Sequence, residues 1–260
     1  MRLVGVGYRR ALRPWIATSP SEVEMLEITA EHFFDHPQLL VGIRRQYPLV
    51  VHGLSLSLGT PGPLDPATFS LFKKVVAAAN PAWISEHVAF SRTREVDLGH
   101  LNPVPWTARS LATLVDHARQ VMDECGTHLI LENIASHLDL PSEFEETDFL
   151  NELCVRSGCG LLLDVTNLFI NAKNRSYDPL AWVERLDPKT IAQLHVVGYT
   201  QTDESYEDHH AEAIQEDLME FTLNALQIAK DVQGIIIERD AHFPCPQSLG
   251  AELWRLKHGL

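Results

Sequence analysis

Gly160-Leu161-Leu162-Leu163-Asp164-Val165-Thr166-Asn167 is a short, unbroken apolar run that ends on a carboxylate. A run without polar alternation suits a strand buried on both faces, the environment of a parallel sheet covered by helices. Runs of the same form occupy residues 3–7, 25–28, 49–52, 83–87, 129–133, 191–197 and 234–238. Between them lie stretches with helical spacing. Residues 66–79 carry Phe69, Phe72, Val75 and Val76; residues 107–125 carry Leu111, Leu114, Val115, Ala118 and Met122; residues 213–229 carry Leu218, Phe221, Leu226 and Ile228. Each set lies on one helical face. Asp65-Pro66 and Asp178-Pro179 mark helix starts, with proline in the first turn after a capping residue. Eight alternating units in 260 residues predict an α/β fold of the (β/α)₈ TIM-barrel type, a single domain spanning 1–260 with no linker. An open doubly wound sheet would need a glycine-rich phosphate turn after its first strand, and Gly5-Val6-Gly7-Tyr8 lacks the third glycine.

Composition narrows the function. Lys+Arg number 21 against Asp+Glu 35, a formal net charge of -14. So acidic a chain repels phosphate backbones and anionic headgroups, so neither nucleic acid nor membrane is expected as a partner. Arg9-Arg10 with Arg13, and Arg92 with Arg94, are the local basic exceptions. No segment approaches the roughly 18 apolar residues of a spanning helix, and the N-terminus lacks a signal-peptide h-region, which predicts a soluble cytoplasmic protein. Cys125, Cys154, Cys159 and Cys245 form no CxxC pair, so neither a disulfide framework nor a zinc ribbon is expected.

Barrel active sites lie at the C-terminal ends of the strands. The predicted strands three to eight end in His52, His87, Glu132, Asp164, His195 and Glu238. A lone His or Glu at a strand end is more often a hydrogen-bonded rim residue than a ligand. Six ionisable groups converging on one mouth are costly to desolvate and repel one another unless cations sit among them. Imidazole and carboxylate donors without thiolate suit zinc, iron or manganese. The acidic segment 205–210 adds Asp208 and His210, whose alternate spacing points both the same way from extended backbone, and Asn167 follows Asp164 by one helical turn. Nine ligands exceed the need of one ion and imply a bi- or trinuclear cluster bridged by a carboxylate. Of the 13 histidines, His32, His137 and His209 are near-site candidates, while His36, His100, His117, His128, His242 and His258 read as ordinary surface or loop residues.

The segments His52-Gly53-Leu54-Ser55-Leu56-Ser57-Leu58-Gly59, Ser85-Glu86-His87, Leu131-Glu132-Asn133, residues 158–167 and Ile237-Glu238-Arg239-Asp240 resemble the motifs of the multinuclear non-haem iron-dependent oxidative enzymes. The resemblance runs from the first strand to the last helix. It implies a TIM barrel holding two or three irons in a mixed-valent state. O₂ would be the co-substrate, and the reaction would oxidise a residue, usually cysteine, of a ribosomally made precursor peptide. A separate partner protein would present that peptide, because only one helix follows the eighth strand. The implied ligands are His52, His87 and Glu132 at one ion; Glu132, Asp164, His195 and Glu238 at a second; and Asn167, Asp208 and His210 at a third. Glu27 and Glu31 match the family's early E-x-x-x-E spacing and are candidate pocket residues, while Arg239 and Asp240 are candidate partners of Glu238. The sequence departs from the family pattern at His195-Val196-Val197-Gly198-Tyr199, where a second histidine is usual, which makes Tyr199 a candidate pocket wall, and at Glu132-Asn133-Ile134-Ala135-Ser136-His137-Leu138.

The frame is also similar to that of endonuclease IV and the sugar isomerases, where the residue three after the aspartate is commonly His in the nuclease and is Asn167 here. A metal-dependent hydrolase or isomerase is therefore the alternative, disfavoured as a nuclease by the acidic balance. A third reading, a non-catalytic scaffold or peptide-binding module, is opposed by the completeness of the ligand set.

Overall fold

A computed structural model describes residues 2–93 and 95–259; Arg94 of the second basic pair lies outside the described residues. The strands are β1 (Leu3–Gly7), β2 (Met25–Thr29), β3 (Leu49–His52), β4 (Ile84–His87), β5 (Ala89–Arg92), β6 (Asp97–Pro103), β7 (Leu129–Glu132), β8 (Gly160–Asp164), β9 (Ile191–Val196), β10 (Gly198–Gln201), β11 (Tyr206–Glu212) and β12 (Gly234–Ile237). The helices are α1 (Arg13–Ile16), α2 (Leu40–Ile43), α3 (Pro66–Ala79), α4 (Ala108–Cys125), α5 (Glu146–Ser157), α6 (Val165–Arg175), α7 (Pro179–Glu184), α8 (Glu216–Ile228) and α9 (Pro246–His258). Eight strands close a parallel barrel in the order β1-β12-β9-β8-β7-β4-β3-β2, as the apolar runs predict.

Alternation along each strand stacks the barrel interior in layers. Met25, Val50, Ile130, Leu162 and Ile236 pack with Trp83 into one apolar cluster. Two residues further along the same strands stand Glu27, His52, Glu132, Asp164 and Glu238. A greasy plug thus lies one pleat beneath a polar ring. Outward-facing residues of the strands pack with Phe72, Leu111, Leu114, Phe149, Leu218 and Leu253 of the helices in a second, larger core.

The helix signals hold. Asp65 caps α3 by accepting from the Thr68 N–H at 2.8 Å, and Asp178 caps α7 by accepting from the Leu180 N–H at 2.9 Å. The stretch read as helical over 213–229 begins only at Glu216, because β11 runs through Glu212. Two antiparallel hairpins, β5–β6 and β10–β11, rise from the mouth and are not foreseen as strands. Both are largely polar and carry no apolar run, so the signal that betrays the barrel strands is absent from them. No helix among the described residues is long and apolar enough to cross a membrane.

The tightest backbone approach in the barrel is at Gly5, where an added Cβ would stand 2.1 Å from the Met25 carbonyl oxygen. Gly5→Ala is expected to force β1 and β2 apart at a cost of about 1–3 kcal/mol, read as a lowered urea midpoint; an unchanged midpoint would show that the barrel tolerates a wider seam.

Candidate metal centre

Strand ends deliver the ring. His52, His87, Glu132, Asp164, His195 and Glu238 are all buried. Among the described residues their ligand atoms, with those of the hairpin, fall into sets within 4.8 Å of one another: His52–His87–Glu132, Glu132–Asp164–His195–Glu238, Asp164–Asp208–His210, and His210–Glu238–Asp240. Glu132 belongs to the first two sets and Asp164 to the second and third, so neighbouring positions share a carboxylate. Of these, His52, His87, Glu132, Asp208, His210, Glu238 and Asp240 line a cavity of about 500 Å³ together with Arg9, His32 and Asn167. Asn167 stands on the first turn of α6, where its N–H donates to Asp164 Oδ1 at 2.7 Å.

The ligand set fits cations. Glu132 Oε2, His87 Nδ1, His195 Nδ1 and His210 Nδ1 are buried without a hydrogen-bond partner, a costly condition for groups of this polarity. Glu132 Oε2 lies 3.3 Å from His87 Nε2 and 3.5 Å from His52 Nε2. His195 Nδ1 lies 3.3 Å from Glu132 Oε1 and 3.2 Å from Glu238 Oε2. Such convergence of lone-pair atoms demands a positive charge at the focus, supplied by protons or by metal.

Protonation follows from the same crowding. Burial works against the imidazolium of His87, but the carboxylates of Glu132 and Glu86 outweigh it and push its pKa up to about 9. His210 is likewise raised, to about 12, against burial by Glu238, Asp208 and Asp240. His195 is raised well above its usual value against burial by Glu27, Glu132 and Glu238. Glu132 is held down to about 2 despite burial by His195, His87 and His52. Asp164 moves the other way, well above the usual carboxylate range, through burial and the neighbouring Glu132 and Asp208. The neighbouring His195 and the Asn167 N–H oppose that rise without overcoming it.

The structure separates the weaker candidates. Glu27 is buried inside the barrel with its Oε2 2.8 Å from His195 Nε2. Glu31 instead clamps the loop after β3, accepting from the Leu54 N–H at 2.9 Å and the Ser55 hydroxyl at 2.5 Å. Tyr199 is not a cavity wall: its ring stacks on Phe169 at 5.6 Å and its hydroxyl donates to Asp217 at 3.1 Å, between the barrel and α8. Arg239 does not hold Glu238. It follows Glu238 directly, so strand alternation turns it to the other face, where its Nη1 donates to the Ala211 carbonyl at 2.9 Å. Asp240 does reach the mouth, 3.3 Å from His210 Nδ1. Asp208 and His210 are not simply parallel side chains of an extended loop. They sit on β11, their Oδ2 and Nε2 are 2.6 Å apart, and His210 has φ 51. Of the near-site histidines, His32 lines the cavity, while His137 and His209 are exposed.

Several contributors are invisible in the strand-end pattern. Arg9 folds back over Gly7, donates to Glu238 Oε1 at 3.1 Å and pairs with Asp240. It performs the role expected of Arg239, and its signal is only that it follows the first strand. Ser85 holds His52 Nδ1 at 2.8 Å and turns Nε2 toward Glu132. Glu86 faces outward and accepts from the Leu56 N–H at 2.8 Å. Asn133 pairs with the Asp164 backbone in both directions, at 2.9 and 3.0 Å. His117, expected as an ordinary surface residue, is buried on α4 with each ring nitrogen 2.7 Å from a carbonyl, those of Leu58 and Gly62.

Fold and donor set define a parallel barrel with an imidazole-rich mouth whose candidate metal-ligand sets share carboxylates. The family described as "RiPP precursor modification enzyme MbnB/TglH/ChrH" matches residues 3–260, and the chain belongs to it. That is the family whose motifs the sequence resembles, and its members modify ribosomally made precursor peptides. A UPF0276 protein of Chromobacterium violaceum is 31% identical over 252 residues, covering 95% of this chain and 91% of the relative. A UPF0276 protein of Anaeromyxobacter is 31% identical over 246 residues, covering 92% and 86%. Among solved structures, endonuclease IV from Thermus thermophilus superposes with TM-score 0.60 at 15% identity, covering 98% of this chain and 96% of that one. A D-tagatose 3-epimerase-like protein superposes with TM-score 0.61 at 15% identity, covering 98% and 96%. These likenesses establish the xylose-isomerase and endonuclease IV type of barrel.

Metal must displace the protons that the ring holds. Anaerobic addition of Fe²⁺ or Zn²⁺ to metal-free protein near neutral pH is expected to release protons from His87, His195, His210 and Asp164, and apparent affinity is expected to rise with pH toward about 9 as His87 ceases to compete. Metal-free stability should run oppositely. The raised His87 pKa contributes stability fully present below its unfolded value and lost as pH rises through about 9. Calorimetry in buffers of different ionisation enthalpy and pH-dependent melts check both; pH-independent binding would contradict the assignment.

Proposed function

We propose that the protein is an O₂-dependent multinuclear iron oxidase acting on a residue, cysteine first, of a ribosomally made precursor peptide. The observation that carries this reading is the run of buried and half-buried ligand sets sharing Glu132 and Asp164, in a chain whose family modifies such peptides. His52, His87 and Glu132 would hold one iron; Glu132, Asp164, His195 and Glu238 a second; Asp208 and His210 with Asp164 and the Asn167 carboxamide a third. Bound iron, with O₂ as oxidant, supplies the redox chemistry and a soft open position for a thiolate, since no protein cysteine is among the ligands.

The chain's own residues perform the remaining work. Arg9, donating to Glu238 Oε1, leaves Oε2 as the oxygen that faces the histidines. Ser85 fixes the His52 ring, and Asn133 locks the end of β7 to β8, keeping Glu132 and Asp164 at one height. Leu54, Leu101 and Ile134 give the cavity an apolar rim that limits water at a bound peptide side chain. A second groove of about 570 Å³, lined in part by Trp106, Phe144, Tyr177 and Trp182, meets the cavity at Ile134 and offers room for residues flanking the modified one. The net charge of -14 favours a basic leader or a basic presenting protein by electrostatic steering. Action in the cytoplasm, where precursor peptides are made, completes the reading.

The test is metal analysis of protein from iron-supplemented cells, followed by anaerobic mixing with the genomically adjacent small Cys-containing peptide and then O₂. Iron in the protein and a changed peptide mass are expected, with Glu132→Ala losing at least about 100-fold in rate, since one carboxylate serves two positions. Zinc as the native metal together with an unaltered peptide would instead support the hydrolase or isomerase reading.

A further inference from the structure

One polar feature of the barrel interior takes no part in the roles above. Trp83, Gln193 and Glu27 form a buried chain that ends on His195, and all four side chains are withdrawn from solvent. The Trp83 indole N–H donates to Gln193 Oε1 at 2.7 Å. Indole nitrogen can only donate, so this contact fixes the Gln193 carbonyl and turns its amide nitrogen the other way. That nitrogen donates to Glu27 Oε2 at 2.6 Å. The same oxygen lies 2.8 Å from His195 Nε2. Gln193 Nε2 and His195 Nε2 are also 2.9 Å apart, and the Glu27 oxygen that both approach is the anionic acceptor they share.

We infer that Trp83, Gln193 and Glu27 are a positioning relay that fixes the tautomer of His195, holding Nε2–H on Glu27 so that Nδ1 is the nitrogen presented to metal. His195 Nδ1 is the buried, unpartnered atom that lies 3.3 Å from Glu132 Oε1 and 3.2 Å from Glu238 Oε2. A carboxylate behind an imidazole sets the ring orientation and raises its basicity as a ligand. Core filling alone does not account for the chain. The layer holding Trp83 is otherwise apolar, and apolar residues in place of Gln193 and Glu27 would avoid the desolvation of a carboxylate and an amide. The backbone also makes room for the relay, since a Cβ at Gly234 would stand 3.0 Å from the Trp83 indole. Orientation thus passes from an aromatic N–H in the apolar plug, through β9 and β2, to a ligand at the centre of the polar ring.

This inference rests on the metal reading, and the experiment separates the two. Zinc-loaded wild-type protein, ¹⁵N-labelled at histidine, is expected to show His195 protonated at Nε2 and metal-bound at Nδ1 by two-bond ¹H–¹⁵N correlation. Chelator competition is expected to show Glu27→Gln binding zinc about 10–100-fold more weakly than wild type. Trp83→Phe, which touches no ligand, should lose less affinity and should shift the visible spectrum of the iron-loaded protein. Wild type that binds no metal overturns the metal centre and the relay together. Wild type that binds zinc normally, with His195 coordinated through Nε2 or with both folded variants within twofold of it, overturns the relay alone. Should the variants fail to fold, the wild-type tautomer decides.

Discussion

Glu132 is a buried carboxylate with an oxygen that accepts no hydrogen bond, and it stands where two clusters of ligand atoms meet. Such an anion cannot sit above an apolar plug unless positive charge converges on it. The surrounding architecture answers that demand from several directions. His52, His87 and His195 approach from β3, β4 and β9, with His52 held by Ser85 of the neighbouring strand and His195 by Glu27 of β2. Arg9 brings a permanent cation to Glu238 on the far side. Without metal, protons on the imidazoles balance the ring; with metal, the same lone pairs become ligands.

The loop that follows β3 shows how the mouth is kept in shape. Its sequence, His52-Gly53-Leu54-Ser55-Leu56-Ser57-Leu58-Gly59, places one candidate ligand at its start, and its other polar groups are anchored. Glu31 takes Leu54 and Ser55, Glu86 takes Leu56, and His117 takes the Leu58 carbonyl. Ser57 adopts a left-handed φ of 57 and its hydroxyl accepts from the Ser91 N–H at 2.7 Å. The motif is thus chiefly a mechanical one: it fastens the rim on which His52 stands to the turn after β2, to β4, to β5 and to α4.

Much of this was legible before any coordinates. Unbroken apolar runs suit strands covered on both faces, and ionisable residues at their C-terminal ends collect at a barrel's mouth, so the ring from His52 to Glu238 could be read from the pattern. What could not be read depended on contacts across sequence distance. Arg9 and Glu238 are 229 residues apart, and nothing in the local pattern distinguishes Arg9 from Arg239, which lies beside the ligand in sequence yet faces away. Glu27 has the spacing of a pocket residue, but its bond to His195 spans 168 positions. The hairpins escaped because exposed, charged strands lack the periodicity that marks a buried one. Tyr199 was misplaced for a related reason: a residue just past a strand end can turn either way, and the bulge in β10 turns it outward.

That second hairpin divides the mouth mechanically. Six of the ligand-bearing positions are built into barrel strands or their first following residues, whereas Asp208 and His210 ride on a two-stranded ribbon tied to α6 by the paired contacts of Asn174 with Tyr206, at 2.9 Å each. The fold therefore contains a cradle of candidate ligands built into the barrel strands and a separate third arm on the ribbon. Such a construction lets the arm diverge in length, charge or aim without disturbing the barrel, so relatives sharing the cradle can differ in what they do with the space above it.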